Sequence, residues 1–141
     1  MTIEQISVFV QNRSGQLGAV TDALRKAGVS IRAMSLADTA DFGVFRIIAD
    51  NAASAKAALQ DAGFTVGSTP VLAVEVPDRS GGLGDVLELF SSHGLNVEYL
   101  YGFSRIPSAS ATLIFRMDRM NEAESLLAGN GIRILGQEDL A

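Results

Sequence analysis

The chain has 141 residues, 48% hydrophobic and 19% charged, a composition that supports one ordinary domain or two small ones. It contains no cysteine, which removes disulfides, zinc–thiolate centres and thiol catalysis. A net charge of −5, with the basic residues scattered, counts against a nucleic-acid partner. The first residues, Met1-Thr2-Ile3-Glu4-Gln5, carry no basic segment leading into an apolar stretch, and no apolar run approaches the ~20 residues of a membrane span. A soluble cytoplasmic protein without a membrane partner is expected.

In chain order, residues 3–11 alternate apolar and polar side chains and predict a strand. Residues 15–27 place Leu17, Val20, Ala23, Leu24 and Ala27 at helical spacing, with Gly28 as the stop signal. A strand over 29–37, a tight turn around Ala40, Asp41 and Gly43, and a strand over 42–49 come next. Asp50 and Asn51 can cap an alanine-rich helix over 52–62, which ends at Gly63 before a short strand at 64–67. The same order then returns: a strand at 71–76, a helix at 83–93, strands at 95–104 and 110–117, a helix at 121–129 and a strand at 132–136.

The return is visible residue by residue. At an offset of 66, Val8, Val10, Arg13, Ser14, Gly15, Leu17, Gly18, Val20 and Gly28 meet identical residues at Val74, Val76, Arg79, Ser80, Gly81, Leu83, Gly84, Val86 and Gly94. At an offset of 68, Asp50, Ala55, Leu59 and Gly63 meet Asp118, Ala123, Leu127 and Gly131. This is a duplication, with its seam expected at Gly67–Pro70 and its domains at 1–68 and 69–141. The order βαββαβ predicts an α+β protein of two ferredoxin-like units, their antiparallel sheets joined side by side with the helices on one face. The sheet edges and the bare second face favour a homodimer.

The string Arg-Ser-Gly-x-Leu-Gly occurs in both copies between the first strand and the first helix. Helix N-termini offer unbonded N–H groups and the positive end of the dipole, so they attract anions. Gly15 and Gly81 permit positive φ and a close ligand approach. A lone glycine there reads more simply as a tight turn, but repetition of the Arg and Ser with it favours a binding loop. Leu17 and Leu83 are expected to point into the core, and Arg13 and Arg79 to be solvated or paired across an interface.

These loops, Asn12-Arg13-Ser14-Gly15-Gln16-Leu17 and Asp78-Arg79-Ser80-Gly81-Gly82-Leu83, with the following "AGVSI" and "HGLNV" and the strand ends at Asp50-Asn51 and Asp118-Arg119, resemble the ACT domain in tandem. Serine stands where many members have proline. The resemblance implies a non-catalytic regulatory module that binds a free amino acid at an interface between ACT units and acts on an amino-acid biosynthetic enzyme. It further implies that backbone from Ser14, Gly15, Gln16, Leu17 and Gly18, and from Ser80, Gly81, Gly82, Leu83 and Gly84, holds the carboxylate. Asn12 or Asp78 would take the ammonium group, Asp78 with the better-suited charge, which makes its loop the expected tighter site. Met34, Ser35, Leu36, Tyr99, Leu100 and Tyr101 would line the side-chain pocket. For Met34, Leu36 and Leu100 taken singly, ordinary core is the simpler reading.

The single histidine, His93, ends a helix beside Gly94, where a cation is favourable, and neither a metal site nor a Ser-His-Asp triad is expected. The loop lacks the Lys-Ser/Thr of a P-loop and the third glycine of a dinucleotide fingerprint, so no cofactor is expected. An acylphosphatase-like hydrolase is the alternative, because Arg13 beside Asn12 imitates a phosphate cradle; Asp78 would repel phosphate in the second copy. An RNA-binding sheet is disfavoured, since Glu75 and Leu113 replace the aromatic Phe9 and Phe45.

Overall fold

Alternation puts Ile6, Val8 and Val10 on one face of β1 (Ile3–Gln11), and all three are buried in the computed structural model. The structure describes residues 1–38, 41–104 and 110–140, so the turn expected at Ala40 lies partly outside the described residues. β1 pairs antiparallel with β3 (Phe42–Ala49), with Ile6 opposite Ile47 and Val8 opposite Phe45, so both strands bury the same face. β2 (Ile31–Asp38) pairs with the other side of β3 and ends the strand order there.

Two helices cover that face. α1 (Gln16–Lys26) contributes Val20 and Leu24, and α2 (Ala52–Asp61) contributes Ala55 and Leu59, to one cluster with the strand residues. Asn51 caps α2 as its residue type predicts: its side chain accepts from the Ser54 N–H at 3.0 Å. Asp50 Oδ1 instead accepts from the Ser30 N–H at 3.0 Å and ties the end of β3 to the start of β2.

The second copy repeats the plan. β4 (Thr65–Pro77) pairs with β6 (Ser110–Met117) and with β7 (Ile134–Leu135), and β5 (Val97–Ser104) pairs with β6, giving the order β7-β4-β6-β5. α3 (Gly82–Ser92) and α4 (Met120–Gly129) bury Val86, Phe90, Ala123 and Leu127 against Leu72, Val74 and Phe115. The Phe90 and Phe115 rings meet edge to face with centroids 5.4 Å apart, a favoured aromatic geometry. The chain thus forms two compact units: Glu4–Thr69 with Leu140, and Pro70–Asp139 with Met1–Ile3. The Arg32 Nε donates to the Leu140 carbonyl at 3.0 Å, and the Met1 ammonium pairs with Glu124. No helix among the described residues is long and apolar enough to cross a membrane.

The structure departs from the sequence reading in three places. The strands expected at 64–67 and 71–76 are one uninterrupted strand, β4, which runs through Gly67 and Pro70. Extended backbone suits the fixed φ of proline, and the Arg116 Nη1 donates to the Pro70 carbonyl at 2.8 Å, so pairing overrides local punctuation. The final strand is only two residues long and leads into a short helix, α5 (Gln137–Leu140), whose start is fixed by the Gly136 N–H donating to Asp139 Oδ2 at 2.8 Å.

The third correction concerns five apolar side chains. Leu17 and Leu83 are 39% and 37% exposed, because each stands in the first turn of its helix, ahead of the residues that meet the sheet. Met34, Leu36 and Leu100 are exposed too, at 62%, 49% and 36%, on the outermost strands β2 and β5. The core reading of all five is overturned.

Candidate functional site

Each β1–α1-type loop closes on a glycine in the left-handed region, Gly15 at φ 88° and Gly81 at φ 85°. A side chain there would be strained, and these glycines are the N-caps of α1 and α3. Neither helix receives a side-chain cap. The first intrahelical bonds run from the Ala19 N–H to the Gly15 carbonyl and from the Asp85 N–H to the Gly81 carbonyl, both at 3.0 Å. The first N–H of each helix turns back onto its own loop, Gln16 to the Arg13 carbonyl at 3.4 Å and Gly82 to the Arg79 carbonyl at 3.0 Å, which leaves the N–H groups of 17–18 and 83–84 as the ones that can receive an anion.

Asn12, Ser14, Gly15 and Gly18 are exposed and Gln16 is half-buried; Gln16 Oε1 accepts from the Gln11 N–H at 3.3 Å. The Asn12 N–H donates to the Asp41 carbonyl at 2.9 Å, which fastens the loop to the turn before β3. In the second unit Asp78, Ser80, Gly81 and Gly84 are exposed, whereas Gly82 is buried. A Cβ on Gly82 would lie 2.2 Å from the Pro77 carbonyl oxygen, so packing alone accounts for glycine there.

The other predicted residues lie elsewhere in each unit. Met34 and Leu36 stand opposite Ile47 and Phe45 on the helix side of β2, with Ser35 opposite Arg46 on the reverse side. Leu100 stands opposite Phe115, while Tyr99 and Tyr101 pair with Arg116 and Ile114 on the face away from the helices and are half-buried. β3 separates β1 from β2, two strand spacings of about 4.8 Å each. Within one unit the loop and the edge strand do not converge.

The two loops differ in charge. The Arg79 Nη2 is paired with Asp85 Oδ2 at 2.7 Å, within its own unit and not across an interface. Asp85 stands where the first unit has Ala19, a signal the repeat alignment already contained. Arg13 makes a neutral contact instead, its Nε donating to Gln11 Oε1 at 2.6 Å. Near the second loop, Glu75 accepts from the Ser110 hydroxyl at 2.8 Å and from the Arg133 Nη1 at 2.9 Å. Those two contacts, Ser110 first, hold its carboxyl below the usual range.

A duplicated βαββαβ chain with uncapped glycine-led helix starts defines a paired, ferredoxin-like binding module. The chain belongs to the ACT domain pair family, whose model matches residues 1–141. This family places it among small-molecule-binding regulatory modules. Protein BT0572 from Bacteroides thetaiotaomicron has a similar crystal structure, with 33% identity, 99% of this chain and 96% of that one covered, and a TM-score of 0.94. The fold is also shared with the regulatory subunit of aspartate kinase from Thermus thermophilus, at 17% identity, 89% and 88% coverage and a TM-score of 0.66. The corresponding subunit from Thermus flavus gives 18% identity, 89% and 88% coverage and 0.61. Among curated proteins, none matches the chain.

Proposed function

We propose that the chain binds a free amino acid and, as a homodimer in the cytoplasm, transmits its concentration to an amino-acid biosynthetic enzyme. The observation that carries this reading is the twice-built, uncapped helix start led by a positive-φ glycine. Backbone N–H groups within 14–18 and 80–84, other than those of Gln16 and Gly82 that bond the Arg13 and Arg79 carbonyls, receive the carboxylate, with Asn12 or Asp78 beside the ammonium group. Met34–Leu36 and Tyr99–Tyr101, too far from the loop of their own unit, form the side-chain wall when a second copy presents its edge strand. Exposed Leu17, Met34 and Leu36, and exposed Leu83 and Leu100, support burial of these edges in such an assembly.

The fold shared with aspartate kinase regulatory subunits sets the class of enzyme to test first as partner. A thermal-shift screen over the twenty amino acids and a few nucleotides tests the ligand class. One or a few amino acids should raise the melting temperature and the nucleotides should not. A protein indifferent to every amino acid contradicts the reading. The purified chain should also leave acyl phosphates and phosphate esters unchanged, which phosphate-release measurement checks.

A further inference from the structure

The first unit carries a cavity of about 440 Å³ beside its loop, lined by Phe9, Phe42, Phe64 and Thr65 together with Arg13 and Gln16. Phe9 and Phe42 lie on one face of the β1–β3 pair, since Gln11, two residues from Phe9, stands opposite Phe42. They are 50% and 60% exposed. No carboxylate lines this cavity, and none lies within ion-pair distance of the Arg13 guanidinium among the described residues.

The second copy places mutually paired polar groups at the same positions. The repeat offsets put Glu75 at Phe9, Ser110 at Phe42 and Arg133 at Thr65. There Glu75 bonds to Ser110 and Arg133, and Arg133 also reaches Asp139 Oδ1 at 3.2 Å. One copy therefore satisfies its own charges where the other leaves phenyl rings and a cation facing solvent.

We propose that the cavity of the first unit is a separate ligand site for a small aromatic carboxylate with no ammonium group beside its acid. Phe9 and Phe42 take the ring. Arg13 has five N–H donors with one engaged by Gln11, so it retains donors for a carboxylate. A neighbouring ammonium would be repelled by Arg13 and would find no acid in the lining, so amino acids are refused here. The volume falls in the range of small-molecule pockets, roughly 300–1,000 Å³. This site borders the loop to which amino-acid binding is assigned above and shares Gln16 with it, but its anion contact is the Arg13 side chain rather than the loop amides.

The test is calorimetric titration of the full chain with phenylacetate, with benzyl alcohol as the neutral counterpart. Phenylacetate should bind, and Arg13→Gln and Phe42→Ala should each weaken it roughly tenfold or more. The exposed pair Phe9→Glu with Thr65→Arg installs the second copy's ion pair and should abolish phenylacetate binding. Any amino-acid response in the thermal-shift screen should survive that pair, which separates the two sites. Absence of phenylacetate binding to wild type overturns the proposal, as does equal affinity for benzyl alcohol or undiminished binding by the folded Phe9→Glu, Thr65→Arg protein.

Discussion

At the level of single residues, two glycines in one loop act for different physical reasons. Gly81 needs its positive φ, whereas Gly82 needs the absence of a Cβ, which would lie 2.2 Å from backbone oxygen. Gly82→Ala should therefore lower stability by about 1–3 kcal/mol without any ligand present, read by urea unfolding; an unchanged midpoint contradicts the packing account. Glu75 gives a pH signature. Its folded carboxyl titrates below the usual range because Ser110 and Arg133 bond to the ionised form. The stability this adds is complete above the unfolded pKa and is lost as pH falls through the folded one. Wild type should thus lose stability relative to Glu75→Gln from roughly pH 4.3 downward, and parallel acid profiles of the two proteins would refute it.

Among the elements, α1 was legible because 3.6-residue spacing selected Val20 with Leu24, and α2 because an alanine-rich run follows Asn51, which announced its cap. Removing that cap, Asn51→Ala, should cost about 1 kcal/mol in urea unfolding; a neutral result would show that the helix start is held otherwise. Periodicity gives the face of a side chain but not whether anything lies over that face. For this reason Leu17, Met34 and Leu36 read as core and stand exposed. The repeat fixed element order, yet Gly67 and Pro70 signalled a break that strand pairing overrode in β4. The charge difference between the loops was written in Ala19 against Asp85, but the reach of Arg79 to Asp85 depends on how the folded loop turns into α3. If exposed edge strands are covered by a second copy, light scattering should give near twice 14.8 kDa for wild type. Leu36→Glu should shift that mass toward the monomer, and a monomeric wild type at micromolar concentration contradicts edge burial.

For the molecule as a whole, duplication has produced two similar loops with unequal surroundings. One has Asp78 and a paired arginine; the other has Asn12 and Arg13 next to an aromatic cavity. Asp78→Ala should weaken amino-acid binding more than Asn12→Ala, because only Asp78 offers the ammonium group a full charge. The central claim is that the glycine-led helix starts hold an amino acid. The most direct measurement is calorimetric titration of the Gly15→Val, Gly81→Val double variant with the amino acid that stabilises wild type, its folding verified by circular dichroism. At about 100 times its dissociation constant, that ligand should stabilise wild type by roughly 2.7 kcal/mol per site. The double variant should show neither heat of binding nor stabilisation. Undiminished affinity in the folded double variant would reduce both loops to plain turns.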